Sequence, residues 1–280
     1  MKIVQAGGQT CNQFWIYSNY IADALENETY IVILSPDISI KDYPNLLKSD
    51  HVKFPLYSKF LCSILGYKFY ILFLQKVFAN KYSLKFYKII FRLLPFVSFI
   101  EARMGMYKSK FQLIQKENIK FLFSPDSVVI TAVDNYFVSI KRKIDLIVGV
   151  HIRRGDYKEW MNGKYYYSDE EYHKVMLQMQ KLFPNSNISF FISSNENIDI
   201  TYFEGCSCFI MPESSACKDL YGLSISDYII GPPSSFSGWA SFRGDVPLYI
   251  MSNSTTDIKL DNFRNIQDYW SLKKNEEVQM

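Results

Sequence analysis

Apolar and polar positions along the chain follow two rhythms. Residues 3–6 form a short apolar run that stops at Gly7 and Gly8. Phe14, Ile16, Tyr17, Tyr20, Ile21, Ala24 and Leu25 then recur near helical spacing across residues 12–25. Residues 30–34 are a β-branched run that stops at Ser35 and Pro36. This opening predicts strand, glycine turn, helix, strand, the pattern of a βαβ unit. Residues 58–108 are rich in Leu, Ile, Phe, Tyr and Lys and predict helices broken at Gly66 and Pro95. Residues 128–132 predict a strand, and the basic stretch 139–143 a crossover between domains.

The second half repeats the theme. Residues 146–152 are an almost unbroken β-branched run, as in a strand buried on both faces. Ser168, with Glu171 three residues on, predicts a capped helix that runs to Phe183 and stops at Pro184. Residues 188–193, 208–211, 228–230 and 248–251 predict strands. Residues 218–224 predict a helix, and another starts at Ser234 after Gly231, Pro232 and Pro233. The pattern predicts two α/β domains, 1–140 and 141–280, with residues 58–108 as a basic, aromatic, helical insert in the first. Chains of this kind bind ligands at the carboxyl ends of their parallel strands.

Composition narrows the class. The 280 residues are 48% apolar and 21% charged, which excludes a disordered chain, a collagen-like fibre and a coiled coil. Net charge is only +3, but residues 58–108 carry nine basic side chains (Lys59, Lys68, Lys76, Lys81, Lys85, Lys88, Arg92, Arg103 and Lys108) against Glu101 alone. That stretch is either a solvated basic face or a surface for an anionic membrane. No nucleic-acid motif accompanies it, so nucleic acid is not an expected partner. The amino terminus has no signal-peptide apolar run, and Lys or Arg interrupts every long apolar span. The chain therefore reads as cytoplasmic, free or peripheral on the inner face of the membrane. Five cysteines give no disulfide framework, and no His lies near Cys206, Cys208 and Cys217, so reduced thiols are expected rather than zinc.

Three segments follow strands and carry candidate chemistry. The first, Gly7-Gly8-Gln9-Thr10-Cys11-Asn12-Gln13, is either an ordinary βα turn or a close backbone approach to a ligand at a helix start. The second is His151-Ile152-Arg153-Arg154-Gly155-Asp156-Tyr157. Alternation along a strand points His151 and Arg153 to one side. Arg suits bidentate contact with phosphate, so an anion site is expected here. In the third, Ser234, Ser235 and Ser237 cluster at a predicted helix start, where hydroxyls and free N–H groups can seat an anion or simply cap the helix.

Together the three segments point to a nucleotide-diphosphate ligand, and they carry a resemblance. The chain resembles the bacterial α1,2-fucosyltransferases of glycosyltransferase family 11, within a wider group that includes α1,6- and protein O-fucosyltransferases. The glycine opening has one more residue before Asn12 than the family pattern, and Gly238-Trp239 stands where the family often has two Trp. Residues 37–127 show none of the resemblance. The resemblance implies an α/β fold of GT-B type, two Rossmann-like domains facing a central cleft, with GDP-fucose held mainly by the second. It implies that Arg153 stabilises departing GDP, that His151 and Arg154 contact the nucleotide, that Asp219 accepts from guanine N–H groups, and that Ser234, Ser235 and Phe236 seat the phosphates. Gly8 and Asn12 would lie near the fucose or acceptor. The general base is Asp156 or Glu159, and Asp156 is equally a structural partner of Arg153 or Arg154. The implied reaction is inverting transfer of L-fucose to a glycan, free or lipid-linked, with α1,2 linkage to a galactose-like residue. Another sugar or linkage, or a binding protein without catalysis, are the alternatives. No Asp-x-Asp pair occurs in the sequence, so no metal cofactor is expected.

Overall fold

The computed structural model describes residues 1–34, 38–56, 59–78, 85, 86, 89, 96–252 and 257–268. Ser35, Pro36, Lys81, Lys88, Arg92 and Pro95, named above, lie outside the described residues. The chain divides into two compact units, Met1–Asp126 and Ser127–Met280.

The first unit is built on a four-stranded parallel sheet of order β3-β2-β1-β4. Its strands are β1 (Lys2–Ala6), β2 (Ile31–Val32), β3 (Val52–Lys53) and β4 (Ser98–Ala102). The expected βαβ opening is present, with α1 at Thr10–Glu26 between β1 and β2. α1 is buried along almost its whole length, because Phe14, Ile16, Tyr17, Tyr20 and Ile21 pack inward and leave little polar face. α2 (Pro44–Lys48) precedes β3. Gly66, at φ +81°, breaks the next stretch into α3 (Lys59–Leu65) and α4 (Tyr67–Phe78), as its glycine predicted. The basic region is not helical throughout. β4 falls inside it and pairs with β1 along five residues, from Lys2 opposite Ser98 to Ala6 opposite Ala102. A strand of Ser, Phe, Ile, Glu and Ala has too little alternation to show in the sequence, and its pairing with a distant strand decides it. α5 (Lys116–Leu122) closes the unit.

The second unit opens with α6 (Ser127–Lys141), where a strand was expected over 128–132. The β-branched run Val128-Val129-Ile130-Thr131 favours a strand locally. Tertiary packing overrides it: Val133 and Phe137, four apart on one helix face, are buried, and Phe137 meets Phe191 and Phe209 edge-on at 5.2 and 5.5 Å. α6 thus packs in the second unit, and the division falls at 126/127 instead of 140/141. Residues 139–143 finish that helix and its turn.

The second sheet is also parallel, of order β7-β6-β5-β8-β9. Its strands are β5 (Leu146–Ile152), β6 (Ile188–Ser194), β7 (Ser207–Phe209), β8 (Tyr228–Gly231) and β9 (Leu248–Ile250). β5 pairs with β6 along seven residues and with β8 along three. Its β-branched run is buried on both faces, as expected. α7 (Asp169–Leu182) has the expected capping box: the Ser168 hydroxyl accepts from Glu171 N–H at 3.2 Å, and the Glu171 carboxylate accepts from Ser168 N–H at 2.7 Å. α8 (Ala216–Ser224) and α9 (Ser235–Gly244) complete the unit. Strand order reverses between β5 and β8, and ligands of open α/β sheets bind beyond the carboxyl ends of strands at such a point.

Candidate active site

At that switch point β5 ends in His151 and Ile152 and runs into Arg153 and Arg154. The His151 ring is buried and lies 5.0 Å from the Phe236 ring at the start of α9. The backbone of β8 approaches it closely: a Cβ at Gly231 would lie 3.1 Å from the His151 Cβ, so any larger residue there would press on the His151 side chain. Burial, and then the Arg153 charge, push the His151 pKa down to about 3. The imidazole is therefore neutral at physiological pH, and its Nδ1 is buried with no hydrogen-bond partner.

Arg153 pairs with Asp156 at 2.6 Å, and its guanidinium lies 5.5 Å from the centre of the Tyr157 ring. The Arg153 side chain is 15% exposed, while Asp156 is 54% exposed. Arg154 turns elsewhere: its guanidinium meets Asp169, in the first turn of α7, at 2.5 Å and lies over Tyr166. Asp156 therefore partners Arg153, and Asp169 partners Arg154. Glu159 is exposed at the end of the following 3₁₀ turn.

Tyr157 ties β5 to β8. Its hydroxyl donates to the Pro233 carbonyl at 2.6 Å and also hydrogen-bonds Ser234, and burial raises its pKa. Ser234 caps α9, its hydroxyl accepting from Phe236 N–H at 3.2 Å. Ser235 is the first helical residue, so the amino-terminal end of α9 lies beside His151 and Tyr157.

Asp219, in the first turn of α8, is buried and accepts from the hydroxyls of Ser214, at 2.9 Å, and of Ser193. Ser193 is the residue of β6 opposite His151. Burial raises the Asp219 pKa to about 6, against the lowering effect of those two hydroxyls and of Lys218. His151, Arg153, Asp156, Asp219, Ser234, Ser235 and Phe236 thus gather at the carboxyl ends of β5, β6 and β8.

In the first unit, β1 ends beside β4, where Gly7 N–H donates to the Ala102 carbonyl at 3.4 Å. Gly8 has φ +92°, a left-handed conformation, and a side chain there would meet Asn12 Nδ2 at 2.8 Å. Gln13 is buried and donates to the Gly8 carbonyl at 3.1 Å.

Three supporting residues were not singled out in the sequence. Asn195 accepts from Arg154 N–H at 2.9 Å and donates to the Arg154 carbonyl at 3.3 Å, which fixes the turn after β5. Ser193 and Asp169 hold Asp219 and Arg154. The polar run Ser193-Ser194-Asn195-Glu196 at the end of an apolar strand was the available signal. Among the described residues, no group of three His, Cys, Asp or Glu side chains could hold a metal ion. Nor is any helix among them long and apolar enough to cross a membrane.

The sequence model of glycosyl transferase family 11 matches residues 74–269. The match begins inside the stretch 37–127, where no resemblance was visible, and it does not include the glycine opening. No curated protein matches the chain in sequence. Among solved structures, the chain is similar to the fucosyltransferase NodZ from Bradyrhizobium, with 15% identity, TM-score 0.55, and coverage of 91% of this chain and 96% of that one. It is also similar to POFUT1 in complex with GDP-fucose, with 11% identity, TM-score 0.54, and coverage of 88% and 94%. A NodZ α-1,6-fucosyltransferase co-crystallised with GDP gives 14% identity, TM-score 0.53, and coverage of 89% and 94%. These likenesses show the fold, which is the GT-B type implied above. With the family matched over more than half its length, the chain belongs to glycosyl transferase family 11 and is a glycosyltransferase.

Proposed function

We propose that the protein transfers L-fucose from GDP-β-L-fucose to a glycan hydroxyl, with inversion, without a metal, forming an α1,2 link to a galactose-like residue. The observation that carries this reading is the gathering of Arg153, His151 and the α9 start at the strand-order switch. The bond between fucose C1 and the diphosphate oxygen breaks, and its electron pair stays on GDP. Arg153, with the N–H groups and hydroxyls of Ser234 and Ser235, stabilises that growing charge more in the transition state than before it. The acceptor oxygen attacks C1 from the opposite face and loses its proton to a base. Asp156 is preferred to Glu159 as the base for its position, 2.6 Å from Arg153, the group placed on the leaving diphosphate.

Asp219 suits guanine. Its carboxylate accepts from the Ser214 and Ser193 hydroxyls and has lone pairs to spare, and the two N–H groups on the Watson–Crick edge of guanine would add donors that offset the cost of its burial. Neutral His151, with Nδ1 unsatisfied, offers the nucleotide a hydrogen bond that does not depend on protonation. Arg154, already held by Asp169, would shape the loop more than bind the donor.

The basic, aromatic region adds a surface. Phe60, Ile64, Phe69 and Phe73 of α3 and α4 are exposed, with Lys68 and Lys76 among them. That face suits peripheral contact with an anionic membrane, where a lipid-linked acceptor would be found. The experiment for the donor is calorimetry with GDP-fucose and GDP against GDP-mannose, UDP-galactose and UDP-glucose, all in EDTA. Tight binding of GDP and GDP-fucose alone is expected. Equal binding of the uridine nucleotides, or none without added metal, would sink the reading.

A further inference from the structure

Residues 157–167 connect the charged end of β5 to α7 and carry five aromatic side chains: Tyr157, Trp160, Tyr165, Tyr166 and Tyr167. Two of them anchor the segment. Tyr157 is buried on the Pro233 carbonyl at 2.6 Å, and Tyr167 is buried on the Met251 carbonyl at 2.8 Å. Between these anchors the chain turns outward. Trp160 is 43% exposed, Met161 58% and Tyr166 37%. The Trp160 ring lies 4.7 Å from Tyr157, tilted by 43°, and 5.4 Å from Tyr165, tilted by 36°. The three rings form one continuous apolar ledge, and Trp160 is its solvent edge.

The backbone holds that edge out. Met161, Asn162 and Gly163 have φ of 53°, 57° and 74°, three consecutive left-handed residues of which two carry side chains. Such residues avoid this conformation, and they keep it here in the turn that presents Trp160 and Met161 to solvent. The ledge also begins at the reacting charges. Tyr157 lies under the Arg153 guanidinium, which holds Asp156 at 2.6 Å. An apolar surface this close to an anion-binding arginine is not needed by a nucleotide diphosphate.

We propose that Trp160, supported by Tyr157 and Tyr165 and flanked by Met161, is the acceptor-sugar platform, and that it takes a galactose-type pyranose beside Asp156. A pyranose with an axial 4-hydroxyl has C–H groups at carbons 3, 4 and 5 on one face, and this face packs on an indole. A glucose-type ring lacks that apolar face. The proposal rests on the fucosyl-transfer reading above and assigns acceptor contacts to the second unit.

The test uses the full chain with saturating GDP-fucose and lactose as the probe acceptor, cellobiose as its control, and calorimetry with GDP alongside. In Trp160→Ala the lactose KM should rise at least tenfold, with kcat and the GDP Kd within twofold of wild type. Trp160→Phe should recover most of the lactose KM, which separates a platform from a merely structural side chain. An unchanged lactose KM in Trp160→Ala overturns the platform, as does an equal loss of GDP affinity in both variants. If wild-type protein binds GDP but uses cellobiose as well as lactose, or uses neither, the platform falls and the donor reading stands. If GDP is not bound, the donor reading falls and the platform with it.

Discussion

The two parallel sheets share a strand order, third, second, first, fourth within each unit, to which the second unit adds β9, and they differ in what the first strand delivers. β1 ends in Ala6 and two glycines, is five residues long, and has the two-residue β2 on one side and the five-residue β4 on the other. β5 is seven residues long, pairs with β6 throughout, and ends in His151, Arg153 and Arg154. Around β5 the polar groups are locked: Asn195 holds the Arg154 backbone, Tyr157 holds Pro233, and Ser193 and Ser214 hold Asp219. Around the end of β1 the contacts are mostly to backbone: the Gln13 amide donates to the Gly8 carbonyl, and the Tyr17 hydroxyl accepts from Ala6 N–H. A preorganised charge site needs rigid elements and hydrogen-bonded supports beneath it, and β5 with its holders supplies both. That contrast supports the proposal that donor chemistry lies in the second unit, while the first offers close backbone approach at Gly8 and an exposed apolar face on α3 and α4.

The comparison breaks most sharply at Arg153. Arg153→Ala should lower kcat about 10²–10³-fold at saturating GDP-fucose, the size expected when one fixed donor to a developing charge is lost. Arg153→Lys should restore little, since a point charge cannot replace the planar fork. The readout is initial velocity, with circular dichroism to check folding. Near-normal turnover in the alanine variant would remove Arg153 from leaving-group stabilisation and leave it as the partner of Asp156.

Asp219 is the next largest. Asp219→Asn keeps the volume but replaces a charged acceptor with an amide. GDP affinity should fall roughly 10–100-fold, the range for hydrogen bonds to a charged group. At saturating donor, kcat should change by much less. Calorimetry with GDP and a kcat measurement separate the two effects, and unchanged GDP affinity would break the guanine assignment.

Much of this arrangement is legible before any coordinates, and the limits are physical. β5 could be read because both its faces are buried, so its β-branched run has no polar interruption. The α7 cap could be read because Ser168 and Glu171 are three residues apart and need no distant partner. α6 could not: Val128-Val129-Ile130-Thr131 obeys local propensity for a strand, and Phe137 against Phe191 and Phe209 reverses it from far along the chain. β4 hid for the same reason, since its pairing with β1 spans about a hundred residues. In the site, the charged residues announced themselves by being costly at a strand end. Their holders, Asn195, Ser193 and Asp169, are ordinary polar residues whose role appears only when strands are laid side by side. The pairing of Arg154 with Asp169, and so the division of labour between the two arginines, was beyond the sequence as well.

The raised Asp219 pKa gives a pH test of the same site. In the free protein the carboxyl protonates as pH falls through about 6, and the protonated form cannot accept from two guanine N–H groups. Binding then requires release of that proton, so GDP-fucose affinity should be about tenfold weaker at pH 5 than at pH 7. GDP-fucose is the right probe because its diphosphate, esterified at both ends, takes up no proton in this range. His151 stays neutral across the range, since its pKa lies near 3, and adds no slope. The slope should vanish in Asp219→Asn. The stability sign runs the other way: the folded carboxyl binds its proton more tightly than the ordinary value of 3.8, so Asp219 favours the fold at low pH. That contribution is lost as pH rises through about 6. His151 opposes it, because its folded pKa near 3 lies below the ordinary 6.5 and its contribution is lost as pH falls, so the Asp219 share is read as the difference between wild type and Asp219→Asn in thermal melts at pH 5 and 7, beside calorimetry on the same samples.

The smallest expected effect concerns the other side of the comparison. If the exposed face of α3 and α4 meets membrane, binding combines apolar insertion with attraction of Lys68 and Lys76 to anionic lipid. Each lysine near such a surface is worth about 1 kcal/mol, or roughly fivefold in partition, at low ionic strength. Vesicles with phosphatidylglycerol should sediment the protein at low salt, and vesicles of phosphatidylcholine alone should not. Lys68→Ser and Lys76→Ser should each weaken partition by about that factor, and raising the salt should do the same by shortening the screening length. Phe69→Ser should weaken binding without changing its salt dependence, because it removes apolar contact and no charge. Partition that ignores both salt and lipid charge would make the face an apolar protein contact. No sedimentation at low salt would leave it a solvated basic surface, and the second unit would then hold every ligand contact argued from side-chain geometry.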